Sequence, residues 1–148
     1  MRELELLAPA RDADIGIAAI DCGADAVYIA GPRFGARQAA GNSIEDIAGL
    51  CRYAHRYGAK IFVTLNTIIY DNELDDAARL LEGIREAGAD AVIVQDMAVV
   101  ELLRKMFPAR CKNGLCPEAE AAGPREGSGM PVLHASTQCA IRTVERAK

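Results

Sequence analysis

The chain has 148 residues, 51% of them hydrophobic and 26% charged, with no Trp and only 5% aromatics. That balance excludes a disordered or collagen-like chain and leaves room for one ordinary domain with its own core. The net charge of −4 gives no bulk attraction for nucleic acid, although a local basic patch can still bind it.

The amino terminus, Met1-Arg2-Glu3-Leu4-Glu5, has acids where a secretory leader needs an apolar stretch. A first strand is expected at Glu3–Ala8, followed by a helix from Asp12 to Cys22. Three segments then share one plan: Gly23-Ala24-Asp25 before a strand at Ala26–Ala30, Gly58-Ala59 before one at Lys60–Asn66, and Gly88-Ala89-Asp90 before one at Ala91–Gln95. Each joins a helix end to a short β-branched run, with Gly in the left-handed position just past the helix. The spacing of roughly 30–35 residues is that of a βα unit.

The helices between the strands are capped in readable ways. Ser43 and Asp46 form a capping box opening a helix to Tyr57, with Ile44, Ile47, Ala48, Cys51 and Ala54 on one face. Asn72 is expected to cap the next, which buries Leu74, Ala77, Ala78, Leu81 and Ile84. Asp96 is expected to cap a fourth through Met106, with Pro108 just after it. The stretch 109–130 is rich in Gly and Pro and reads as a flexible insertion, and a last strand falls at Val132–Thr137. The longest uncharged run, Gly127 to Ile141, is too short to span a membrane and holds Ser128, His134, Ser136 and Gln138. Five cysteines, an odd number, argue against a disulfide framework and for a reducing, cytoplasmic setting.

Strand parity carries the fold argument. Val27 and Ile29, Ile61, Val63 and Leu65, Val92 and Val94, and Leu133 and Ala135 each share a face. Tyr28, Phe62, Thr64, Asn66, Ile93, Gln95, His134, Ser136 and Gln138 share the other, with Glu5 opposing Leu4 and Leu6 in the first strand. One face of each strand is therefore apolar and the other carries polar groups. A barrel with helices outside and a polar pocket at its C-terminal rim fits this pattern better than an open, doubly wound sheet, which wants both faces apolar. The expected fold is α/β: a partial TIM-like (β/α) barrel of about five βα units with parallel strands, in a single domain over residues 1–148. Eight strands need about 250 residues, so the expected object is an open half-barrel whose exposed edge strands pair with a second copy or with further chain. A flavodoxin-like binding module is the rival of the same size, but Ala8-Pro9-Ala10-Arg11-Asp12 offers no glycine for its phosphate loop.

In order, Glu5-Leu6-Leu7-Ala8-Pro9-Ala10, Gly23-Ala24-Asp25-Ala26-Val27-Tyr28-Ile29, Phe34-Gly35-Ala36-Arg37, Gly41-Asn42, Val63-Thr64-Leu65-Asn66-Thr67, Asp90-Ala91-Val92-Ile93-Val94 and His134-Ala135-Ser136-Thr137-Gln138 resemble the N-terminal half of the peptidase U32 family, the collagenase-like proteases. The resemblance implies a TIM-like barrel and a divided function. Some members are named as collagen-degrading hydrolases; others serve hydroxylation of RNA bases or of ubiquinone, and several of those hold an iron–sulfur cluster on four cysteines. Those cysteines belong to the later half of the family pattern, past Lys148, so no cofactor is expected on these residues. The implied substrate is a peptide or a modified RNA base. The turn after Ala-Pro-Ala, usually Gly-Asn or Gly-Ser in the family, is Arg11-Asp12 here.

Glu5, Tyr28, Arg37, Asn42, Asn66, Gln95, His134, Ser136 and Gln138 are the candidate substrate-binding residues, and no catalytic residue is assigned. For Glu5 a buried pairing inside the barrel is an equal alternative. Arg33 and Arg37 on the rim suit a carboxylate or phosphate, unless Arg37 pairs with an acid such as Asp71. His134 and Ser136 sit roughly 6–7 Å apart along one strand, poor spacing for a serine relay. His55, between Arg52 and Arg56, reads as part of a solvated helix face. Cys111 and Cys116 lack the second pair that a metal site requires, and Cys139 reads as a small buried thiol.

Overall fold

The structure, a computed structural model, describes residues 4–35, 41–106 and 132–135. The alternation read from the repeats is present: β1 (Leu7–Ala10), α1 (Ala13–Asp21), β2 (Ala26–Ala30), α2 (Ile44–Arg56), β3 (Lys60–Leu65), α3 (Leu74–Glu86), β4 (Ala91–Val94), α4 (Met97–Met106) and β5 (Val132–Ala135). Gly23, Gly58 and Gly88 have φ of 97°, 73° and 86°, the left-handed turn that lets each helix end and the next strand begin.

All neighbouring strands are parallel, and their order is β1-β2-β3-β4-β5. A doubly wound sheet reverses its strand order at a switch point. This sheet runs in sequence order without reversal, as a barrel wall does, which removes the flavodoxin-like alternative.

The two faces differ as the parity required. Val27, Ile29, Ile61, Val63, Leu65, Val92 and Val94 are buried in one core with Ile20 of α1, Ile47 and Leu50 of α2, Leu81 and Ile84 of α3 and Val99 and Leu103 of α4. The opposite face gathers only strand residues: Ala26, Phe62 and Ala91, with Tyr28, Ile93 and Val132 packed against them. Helices thus cover one side of the sheet, and the other is the concave wall of a partial (β/α) barrel.

Several boundaries differ from expectation. The first strand is Leu7–Ala10, not Glu3–Ala8. Its pairing starts where Leu6 N–H donates to Asp25 Oδ2 at 2.7 Å and Leu6 O accepts from Asp25 N at 3.0 Å. Leu4 and Leu6 therefore precede the sheet and stay exposed, at 92% and 59%, instead of lining its helix side. Asn72 does not cap α3. A 3-10 turn over Asp71–Glu73 leads into that helix, and Glu73 takes the Tyr70 amide at 3.1 Å. The Ser43–Asp46 capping box and the Asp96 cap are both formed. Cys22 lies just past α1, exposed, while Cys51 is buried on α2. The insertion at 109–130, with Cys111 and Cys116, lies outside the described residues.

Candidate functional site

The loops following the strands form a rim at the C-terminal edge of the sheet, where barrel chemistry usually sits. Each is tied to the next. Asn42, only 4% exposed, donates from Nδ2 to Arg11 O after β1 and to Ala30 O at the end of β2, both at 3.0 Å. Thr67 Oγ1 donates to Phe34 O at 3.0 Å, joining the loops after β3 and β2. Ile69 N–H donates to Asp96 Oδ2 at 2.9 Å, joining the loops after β3 and β4, and Ala98 N–H donates to Asp96 Oδ1 at 2.9 Å to cap α4. Asp96 thus does two jobs where the sequence suggested one.

Phe34 sits in this network with φ of 61°, in the left-handed region, and is buried. A bulky residue held there costs about 1–3 kcal/mol and persists only where its surroundings hold it. Gly35 beside it explains the tightness: an added Cβ would meet Ala30 Cβ at 3.3 Å. Arg33 does not reach outward for an anion. It pairs with Asp76 on α3 at 2.6 Å, its guanidinium carbon lies 4.9 Å from the centre of the Phe34 ring, and Asp76 also holds Arg79 at 3.3 Å.

The candidate residues separate into groups. Asn66 and Gln95 follow β3 and β4 on the rim, half-buried and engaged in contacts. Asn42 joins them on the rim, with its amide nitrogen committed to the two carbonyls. Tyr28 and His134 lie lower, on the concave face. His134 stacks on Phe62 with ring centroids 5.0 Å apart, and the loss of water around the ring lowers its pKa below the usual imidazole value; Glu5 opposes the shift and Lys60 adds to it. Glu5 is elsewhere. Because β1 starts at Leu7, Glu5 stands before the sheet and pairs with Lys60 Nζ at 2.8 Å at the opposite edge, half-exposed. The buried position assigned to it from the sequence is corrected by that shift of the strand. Arg37, Ser136, Gln138 and Cys139 lie outside the described residues.

Sequence reasoning also missed what His55 does. Its ring nitrogen lies 3.0 Å from Asp90 Oδ2, with the carboxylate accepting, so it is not simply solvated. Cys51 stands one turn earlier on α2, which puts a Cys, a His and an Asp in one neighbourhood. Residues 11–111 match the model of peptidase family U32. The chain belongs to that family.

The U32 relatives carry different names. A 23S rRNA 5-hydroxycytidine C2501 synthase from Escherichia coli is 54% identical over 145 residues, covering 98% of this chain and 18% of that protein. The tRNA hydroxylation protein P1 of Bacillus subtilis is 38% identical over 105 residues, 70% of this chain and 25% of that protein. A collagenase of Porphyromonas gingivalis is 30% identical over 102 residues, 68% of this chain and 25% of that protein. The chain therefore spans a quarter or less of each of these relatives.

The U32 name suggests a peptidase, but the Cys51–His55–Asp90 neighbourhood cannot act as one. A nucleophilic cysteine needs its thiolate and access to substrate. Burial, and then the negative charge of Asp90, push the Cys51 thiol up to about 12. The residue is 1% exposed. Among the described residues no group of three or more His, Cys, Asp or Glu side chains could hold a metal ion. The two described cysteines, one exposed and one buried within the helix layer, do not fit an iron–sulfur cluster. No helix among the described residues is long and apolar enough to cross a membrane.

Proposed function

We propose that these residues form a barrel wall of a U32-family protein that serves hydroxylation of an RNA base, with a cytidine of ribosomal RNA as the substrate. The observation that carries this reading is the 54% identity, over 98% of the chain, to a 23S rRNA 5-hydroxycytidine synthase. The tRNA hydroxylation relative supports the same class of substrate. The peptidase reading rests on weaker identity to a collagenase, and the cysteine beside His55 and Asp90 is buried with its thiol pushed up to about 12.

In this reading the wall supplies position, not the oxidising chemistry. The tied loops hold Asn66 and Gln95 at fixed places on the rim, and the concave face below presents Tyr28 and His134, the latter stacked on the buried Phe62. Preorganised polar groups beside flat aromatic surfaces suit a splayed-out base.

A chimera tests it. The chain replaces the matching stretch of the Escherichia coli synthase in cells lacking that protein, and digested ribosomal RNA is assayed for 5-hydroxycytidine by mass spectrometry. Restored 5-hydroxycytidine is the expected result. A folded, soluble chimera that leaves the nucleoside absent overturns the reading.

A further inference from the structure

The carboxyl end of α2 carries a surface that the rim does not use and that meets the core only through the half-buried Tyr53. Arg52 and Arg56 are four residues apart and so lie on one stripe of the helix, with Tyr53 and Tyr57 on the adjacent stripe. The two tyrosine rings are 5.0 Å apart and tilted by 43°, and the guanidinium carbon of Arg56 lies 5.4 Å from the centre of the Tyr53 ring. Tyr57 is 65% exposed, a large aromatic surface left in water.

The cations here differ from most others among the described residues. Arg11, Arg33, Arg79, Arg104 and Lys60 are all held in ion pairs. Among the described residues neither Arg52 nor Arg56 is. The acids bordering the patch are engaged: Asp21 accepts the Tyr53 hydroxyl at 2.6 Å and Asp90 accepts from His55 at 3.0 Å. The Asp21 contact fixes the Tyr53 ring, which in turn supports Tyr57 and Arg56.

Guanidinium groups held in no ion pair, beside an exposed, braced aromatic ring, match the chemistry of single-stranded RNA, whose backbone needs cations and whose bases stack on flat rings. We propose that this end of α2 is a docking surface for unpaired RNA, with Arg52 and Arg56 on phosphates and Tyr57 stacked on a base. The proposal rests on the RNA reading above and adds an anchoring site to it. The patch lies at the edge of the sheet opposite the rim, so it grips the substrate at a distance from the base being modified. It is also a local basic site on a chain of net charge −4, so binding must be short-range and salt-sensitive.

The 148-residue chain is titrated with a short, labelled single-stranded RNA at salt concentrations between about 50 and 200 mM. The double variant R52Q/R56Q is expected to flatten the plot of log affinity against log salt by about 1.4, near 0.7 for each phosphate contact on a single strand. Tyr57→Ala is expected to weaken binding by about 5- to 150-fold, the range for losing one stacked base, while Tyr57→Phe retains it. R52K/R56K keeps the charge and should keep the salt slope, which separates lost contacts from lost fold. The proposal is overturned if the wild-type chain does not bind the RNA at the lowest salt. An R52Q/R56Q variant that binds with unchanged affinity and slope overturns it equally. Either failure leaves 5-hydroxycytidine formation by the chimera as the separate measure of the functional reading.

Discussion

Asp90 Oδ2 accepts the amide hydrogen of Ile61, on the neighbouring strand, at 2.9 Å. The Asp90 main chain continues the pairing, donating to Ile61 O at 2.9 Å and accepting from Val132 N at 2.7 Å. Asp25 does the same two units earlier, with Leu6 N–H on its Oδ2 at 2.7 Å and its own N–H on Leu6 O at 3.0 Å. The aspartate of each Gly-Ala-Asp repeat is therefore a clasp that starts the next strand in register with the last. In the middle repeat Lys60 stands in the aspartate's place, and its ammonium pairs with Glu5 instead.

Asp90→Ala should consequently destabilise the chain more than an ordinary surface change. It removes the carboxylate from the Ile61 amide and from His55 together. Hydrogen bonds to a charged group are worth about 1.5–3 kcal/mol each, reduced here because the carboxylate keeps some water. The expected net loss is about 2 kcal/mol in urea unfolding, with Asp90→Asn losing less. A midpoint equal to that of the wild type would show that the clasp is ornamental.

Much of the fold was open to reading from the sequence. Four strands and all four helices fall within a residue or two of their expected bounds, because Gly at a left-handed position and a β-branched run are local signals. The first strand was misplaced because Leu4, Leu6 and Ala8 alternate as well as any strand does. What starts β1 is the carboxylate of Asp25, 19 residues away, which no local pattern reveals. The site was less legible for the same reason. Asn42, Thr67 and Asp96 each act between loops of different units. A candidate polar residue read from parity alone cannot be told from a tie of that kind.

Asn42→Ala tests the tie at the first two loops. The amide nitrogen serves two carbonyls and the side chain is buried. Leaving buried acceptors unpaired costs about 1–3 kcal/mol. Asn42→Asp should be worse than Ala, since a carboxylate would face two carbonyl oxygens. Thermal melts of the two variants should rank in that order; the reverse ranking would show that the loops do not depend on this donor.

Cysteine labelling gives a chemical check on the inert thiol. Cys22 is exposed and Cys51 is buried, with its thiol pushed up to about 12. Iodoacetamide near pH 8, with mass mapping of peptides, should modify Cys22 in the native chain and Cys51 only after denaturant is added. Rapid native labelling of Cys51 would reopen the question of a cysteine nucleophile beside His55.

The contact between α1 and α2 depends on Gly16. A Cβ there would lie 2.8 Å from Leu50 Cδ2 and 2.9 Å from Cδ1, and Leu50 is 1% exposed and has little room to move. Gly16→Ala should cost about 1–3 kcal/mol by overpacking, despite the better helix propensity of Ala. In a Leu50→Ala background the same change should cost nothing or stabilise. Additive losses in the double variant would mean that the two residues do not share the space.

His134 supplies a pH dependence of definite sign. Loss of water around the ring, the largest influence on it, lowers its folded pKa below the unfolded value of 6.5. The unfolded chain then binds the proton more readily than the folded one. The stability linked to this group is complete above about pH 6.5 and is lost as pH falls through the lower folded value. Substituting Phe, which keeps the stack on Phe62 without a proton site, should flatten that part of the curve of unfolding free energy against pH. Urea unfolding of the wild type and His134→Phe between about pH 5 and 8 compares them. Parallel curves would place the titration on another group.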